Sequence, residues 1–389
     1  MFLLTIEFQL SIILLVALFG YVVGTRFSRS VVVGTILVGL LMGPSVFGLI
    51  TYTPIVETLA HIGSIFLLFV VGLECNFKEI YNARSALIAV GGVLLPWISG
   101  WWLATFFGYG FNQAFFVGVA LTATSIAITA QVLTELGKLE SLVAKAVIGA
   151  AVVDDVLGLL ALSVLKQVSA GSVSVEGLSF VALTAFAFIV CGVLFGTRVA
   201  APFLARFDAW ANKHGRPSLT FFGAVTFAFF YGAVAELVGL SAVVGAFLAG
   251  VSLASLRIRS CREGAAYFEI VFSAIFFLSL GILIDFHAFT LSMAFVGFLA
   301  GLTVVAVFSK AVGCMLPAYA LGMTGKEALE VGVGMVPRGE IAFIVALFGL
   351  SAGLVTQELY SAVLLMSLLT TLSAPLALRW LFHKPRAAV

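Results

Sequence analysis

Charge is scarce in this sequence: of 389 residues only 20 are Lys or Arg and 18 are Asp or Glu, or 10% in all, where a soluble domain carries roughly 25%. With 62% of its residues hydrophobic, such a chain cannot cover its surface with groups that water will solvate, so lipid must be the solvent for most of it. Cysteine is scarce too. Cys75, Cys191, Cys261 and Cys314 show no CxxC or Cys/His spacing, which excludes a disulfide framework and a cysteine metal centre and leaves them as small packing residues. No cofactor is implied. Alternation of polar and apolar residues is missing as well, so a β-barrel is not expected. No loop is long enough to form a soluble regulatory domain within the chain, and the small net charge of +2 suggests no nucleic-acid partner.

What the sequence has instead is long apolar runs. A span of the bilayer takes about 20 such residues, and thirteen runs are predicted, at 4–25, 31–50, 56–74, 85–107, 112–133, 142–166, 178–202, 218–237, 240–256, 265–285, 289–319, 327–350 and 354–382. They must be helices, because backbone groups in hydrocarbon have to be satisfied within the segment. The first run has arginines behind it and no basic residue ahead of it, which suits a retained helix rather than a signal peptide.

The basic residues test this scheme. Loops after odd-numbered spans, with the C-terminal tail, hold seventeen Lys and Arg, and the opposite side holds only Lys166. Basic residues collect on the cytoplasmic side, so the N-terminus is expected outside and the C-terminus in the cytoplasm. The two remaining bases, Lys310 and Arg338, fall inside spans.

The chain also matches itself. Val32-Val33-Gly34 and Gly39 of the second span match Val243, Val244, Gly245 and Gly250 of the ninth at an offset of 211, and Ile65-Phe66 of the third match Ile275-Phe276 of the tenth at 210. Ser125-Ile126-Ala127 of the fifth span matches Glu340-Ile341-Ala342 of the twelfth at 215. Partners seven spans apart cross the membrane in opposite directions. Residues 1–177 and 218–389 would therefore be inverted repeats, with 178–217 as a linking helix and loop, an organisation typical of secondary transporters.

Ionisable side chains at membrane depth cost at least about 2.5 kcal/mol each and mark function. Asp154 and Asp155 sit mid-span, roughly twelve residues or about 18 Å of helix from either end. Adjacent residues on a helix point about 100° apart, so the two carboxylates can address one cavity through different partners. Little water reaches them, so they must take up protons as a coupled unit, and such a site can trade a proton for a cation. Small neighbours, Gly158 among them, would let a helix or an ion come close. Lys310 needs an acid at the same depth, and either aspartate could serve.

Thr122 to Thr129 and the matching Gly334 to Glu340 read as paired helix breaks, since Pro337 removes a backbone donor between two glycines. Thr124 and Ser125 would offer oxygens there, while Thr129 reads as bonding its own helix. Arg338 and Glu340 read as a local ion pair neutralising the helix ends. Glu74, closing the third span, would line an entrance or pair with a base.

These motifs, from Leu68-Phe69-Val70-Val71-Gly72-Leu73-Glu74 through Val153-Asp154-Asp155-Val156 to Pro337-Arg338-Gly339-Glu340, resemble the monovalent cation:proton antiporter-2 family, and within it the short bacterial sodium/proton antiporters of the NapA type, with an NhaA-like fold. The resemblance implies an all-α membrane homodimer in an inner membrane, with a core domain (spans 4–6 and 11–13) moving against a dimer domain (spans 1–3 and 8–10), and two broken helices crossing at the ion site. It implies that Asp155 holds Na+, that Asp154 pairs with Lys310, and that two protons exchange for one sodium. Potassium/proton antiport, an ion channel and an organic-anion symporter are the alternatives.

Overall fold

In the computed structural model the described residues are 6–28, 30–75, 83–169, 175–256, 258–288 and 292–383, and all of their regular structure is helical. In chain order the helices are α1 (Ile6–Val23), α2 (Val31–Met42), α3 (Pro54–Glu74), α4 (Ala83–Phe106), α5 (Phe111–Thr122), α6 (Ile126–Glu135), α7 (Leu142–Ser169) and α8 (Val175–Phe195). There follow α9 (Ala201–Lys213), α10 (Ser218–Leu237), α11 (Ala242–Leu253), α12 (Arg259–Ile282), α13 (Met293–Ala320), α14 (Gly325–Gly334), α15 (Glu340–Ser351) and α16 (Gln357–His383).

Among the described residues, ten stretches are long and apolar enough to cross a membrane, counting α5 with α6 and α8 with α9 as one each. Their outward faces are apolar: Leu15 is 66% exposed, Phe186 65% and Phe222 72%, which only a hydrocarbon solvent tolerates on this scale. Three expected runs look different. α2 and α11 hold 12 residues each, and the run over 327–350 is interrupted between α14 and α15.

Two boundaries depart from the sequence reading. The run expected to reach residue 50 stops at Met42, where the Gly43 N–H donates to Gly39 O at 2.8 Å and the chain turns through Gly48 at φ 61°. The run expected to stop at 202 continues to Lys213. Pro202 lacks an N–H, and the π turn Gly196–Ala200 just before it widens the helix, so the proline is passed rather than obeyed.

The chain forms two compact units. The first comprises 1–76, 189–237 and 241–287; the second comprises 77–188, 238–240 and 288–389. In the first, a core of Ile13, Val16, Val38, Ile275, Leu278 and Ile282 ties α1, α2 and α12 together.

The same helix crossing is built twice in that unit. A β-carbon at Gly39 would stand 2.2 Å from Leu278 O, and one at Gly281 2.2 Å from Ile36 O. At the second crossing a β-carbon at Gly250 would stand 2.3 Å from Phe69 O, and one at Gly72 2.4 Å from Phe247 O. Residues 36 and 39 correspond to 247 and 250 at an offset of 211, and 69 and 72 to 278 and 281 at 209. Backbone meets backbone at both crossings, which membrane helices achieve with small residues.

In the second unit helix starts are set locally. Ser292 accepts from the Phe295 N–H at 3.0 Å to open α13. Thr324 and Glu327 cap each other's backbone to open α14, a reciprocal arrangement that satisfies two otherwise orphaned donors.

Candidate ion site

The second unit buries four charged side chains in one place. Asp154 and Asp155 of α7 are 2% and 6% exposed, and Lys310 of α13 and Arg338 are wholly buried. Lys310 Nζ donates to Asp154 Oδ1 at 2.8 Å and to the Thr122 carbonyl at 2.7 Å. Asp154 is thus the acid in contact with Lys310.

The Thr122 carbonyl is available because α5 ends there. The chain runs extended through Ala123 and Ser125 before α6 begins at Ile126. α14 likewise ends at Gly334, and α15 begins at Glu340. The two breaks touch each other: the Ser125 N–H donates to Pro337 O at 2.8 Å, and Thr129 Oγ1 donates to Gly334 O at 2.6 Å. A β-carbon at Gly339 would stand 2.6 Å from Ser125 Oγ, so glycine permits the approach.

Arg338 donates to the carbonyls of Ala123 and Ala306, and its own carbonyl accepts from Thr371 Oγ1 at 2.6 Å. Both buried cations therefore sit on carbonyls at the C-terminal end of α5. That end carries the negative pole of the helix dipole, where cations are stabilised. With both aspartates ionised, the four described charges balance, which buried charges require.

Thr124 lies beside Asp154, yet its Oγ1 makes no well-formed hydrogen bond, and neither do Ser125 Oγ, Ser309 Oγ or Arg338 Nε, all buried. Buried polar atoms are usually satisfied. The Thr124 hydroxyl beside Asp154, with spare capacity, and that of Ser125 in the same helix break are hard oxygen donors of the kind that suits a small cation or its water.

Arg338 is held by backbone carbonyls; the side chain of Glu340, its expected partner, lies outside the described residues. Glu74 closes α3 in the first unit, where its side chain is exposed. A β-carbon at Gly158 would meet nothing within 4 Å, so among the described residues no helix uses its smallness. Thr129 was read as bonding its own helix, and instead it bridges the two breaks. Thr371 and Ser309 carried no signal beyond being hydroxyls in apolar helices.

The profile of the sodium/hydrogen exchanger transmembrane domain matches residues 13–384. The chain belongs to the sodium/hydrogen exchanger family. It is a multi-pass membrane protein of a family of transporters. The Na(+)/H(+)-K(+) antiporter GerN of Bacillus cereus is 32% identical to it over 381 residues, covering 96% of each chain. The Na(+)/H(+) antiporter of Enterococcus hirae is also 32% identical, covering 96% of this chain and 97% of that protein. The sodium proton antiporter MjNhaP1 of Methanocaldococcus jannaschii has the same fold at 16% identity, with a TM-score of 0.72 over 98% of this chain and 100% of that one.

Proposed function

We propose that this exchanger moves sodium, and lithium with it, against protons, using Asp155 as the carboxylate that holds the cation and the Asp154–Lys310 pair as its proton-linked neighbour. The observation that carries this reading is the buried Lys310–Asp154 contact set against two touching helix breaks, with a second buried acid at the next position of α7. A cation entering there meets carboxylate and hydroxyl oxygens from Asp155, Asp154, Thr124 and Ser125. Protons compete for the same carboxylates. Lys310 keeps Asp154 from acting as a second uncompensated anion, and Arg338, held by the carbonyls of Ala123 and Ala306, adds a fixed positive charge at the α5 end.

Several finer features belong to the same proposal. The thirteen-span count treats α2, α11 and the interrupted pair α14 and α15 as crossing segments beside the ten long ones. The inverted-repeat reading draws support from the two matched glycine crossings, which exchange partners between residues about 210 apart, as inverted halves do. The second unit is the moving core and the first the dimerisation domain of a homodimer, with alternating access by displacement of the core and two protons exchanged per sodium. The setting is a bacterial inner membrane, with the N-terminus outside and the C-terminus in the cytoplasm.

Potassium is the second reading, favoured by the similarity to GerN, a Na(+)/H(+)-K(+) antiporter. Proteoliposomes given outward or inward gradients of Na+, Li+ or K+, with internal pH followed by a dye, decide between them. Sodium-driven proton movement is expected in the parent and its loss in Asp155→Asn, with the variant still folded. Near-normal exchange in that variant would remove Asp155 from the mechanism, and a response to K+ alone would replace sodium.

A further inference from the structure

Outside the ion site, the second unit contains a cavity of about 260 Å³ whose lining includes Arg84, Ile88, Leu142, Lys145, Leu321 and Met323 and no acidic side chain. It is bounded by the first turns of α4 and α7 and by the turn that follows α13. All three are long apolar helices, so their ends mark the depth at which hydrocarbon gives way to headgroups. Among the described residues the structure gives Arg84 no ion pair. Leu142 is 52% exposed at the rim and Met323 6% exposed within, so an apolar wall runs from the open edge to the interior beside the two cations.

We infer that this cavity binds an anionic phospholipid, with the phosphate between Arg84 and Lys145 and the start of an acyl chain laid along Leu142 and Ile88. Basic pockets between membrane helices at the headgroup level recognise anionic lipid by charge. The apolar wall selects an amphiphile over a free anion, because a small hydrated phosphate gains nothing from leucine and methionine. Two bases that merely snorkelled to the surface would be satisfied by any headgroup and would need no cavity between them. The inference requires only that α4, α7 and α13 span a bilayer. It holds whichever cation the exchanger carries.

The test uses the full chain, delipidated in a non-ionic detergent and titrated with phosphatidylglycerol or phosphatidylcholine, with bound lipid counted by native mass spectrometry. One phosphatidylglycerol should bind in preference to phosphatidylcholine. The double variant Arg84→Gln/Lys145→Gln should weaken that binding on the order of tenfold. Ala146 also lines the cavity, and Ala146→Phe, which fills it and keeps both charges, should weaken binding as well and carries the test if the double variant does not fold. Millimolar inorganic phosphate should leave bound phosphatidylglycerol in place. Equal binding of the two lipids, undiminished binding in both variants, or displacement by phosphate would each overturn the inference, the last by making the site one for a free anion.

Discussion

Lys310 and Asp154 face each other at 2.8 Å with 0% and 1% of their side chains exposed, and the same ammonium holds the carbonyl that ends α5. One side chain therefore neutralises an acid and caps a helix end. Removing it exposes both debts. Lys310→Ala should lower the stability of the purified protein by about 3–5 kcal/mol, the usual cost of leaving a buried charge without its partner. Thermal unfolding in detergent reads this directly. The double variant Asp154→Asn/Lys310→Met should recover much of the loss, because no charge is then left uncompensated. A double variant as unstable as Lys310→Ala would mean that the Thr122 carbonyl, and not the acid, is the partner that matters.

The glycine crossings make a packing prediction with an internal control. Gly250→Val places atoms where Phe69 O stands 2.3 Å from the first added carbon, and carbonyl oxygens of a helix cannot step aside. α3 and α11 must separate. A drop of several degrees in melting temperature is expected, with a similar drop for Gly39→Val at the matched crossing. Gly158→Ala, with nothing within 4 Å of the added carbon, should be neutral or slightly stabilising, since alanine favours the helix by up to about 1 kcal/mol. Equal melting temperatures for all three variants would show that the crossings are not close-packed.

Much of this was legible beforehand, and the reason differs by feature. The long helices announced themselves because nothing but lipid tolerates such apolar runs. Lys310 and the two aspartates stood out because so few charges lie at depth. Pro337 marked one break through its missing donor. The break at Ala123 to Ser125 has no proline and was visible only through its match to residues 340–342. Thr129 and Thr371 stayed hidden because most hydroxyls in these helices do bond backward: Thr105 to Trp101 O, Thr303 to Leu299 O and Ser367 to Val363 O. The π turn at Gly196–Ala200 left no mark in composition, so the long helix looked as though it should stop near its proline.

Gly339 offers a test of the contact between the two breaks. Gly339→Ala would place its new carbon 2.6 Å from Ser125 Oγ and 2.7 Å from Ser125 Cβ. The hydroxyl can rotate, but the β-carbon is fixed to the backbone that donates to Pro337 O. The two segments should part by a few tenths of an ångström or more. Sodium affinity is expected to fall by tenfold or so, on the order of 1.4 kcal/mol, with a much smaller change in melting temperature. Because either change at Ser125 also removes a proposed ligand hydroxyl, each is compared with its own single variant: Gly339→Ala should cost little further affinity beside Ser125→Gly, which lacks the β-carbon, and keep its full cost beside Ser125→Ala, so that only glycine rescues the substitution. Rescue by Ser125→Ala would place the clash at the hydroxyl instead.

The decisive prediction for mechanism concerns pH. If protons and sodium share the carboxylates of Asp154 and Asp155, each ligand must weaken the other by the same factor, because binding couplings are reciprocal. The sign is fixed by charge. Protonation removes the negative charge a cation needs, so falling pH must raise the KM for Na+, and saturating sodium must restore much of the rate. Lys310 sharpens the expectation: it compensates Asp154 only while that acid is ionised, so the two acids should respond to protons together and more steeply than one would. A separate regulatory group titrating elsewhere would instead lower kcat at low pH whatever the sodium concentration. The measurement is exchange rate against sodium at several pH values, with both faces of the vesicle at equal pH so that no gradient drives the difference. A KM that rises as pH falls, with kcat nearly constant, is the expected result. Asp155→Glu, if active, should keep this dependence with a displaced midpoint, since it changes the reach of the carboxylate and not its kind. A KM indifferent to pH would count against direct competition at these two residues.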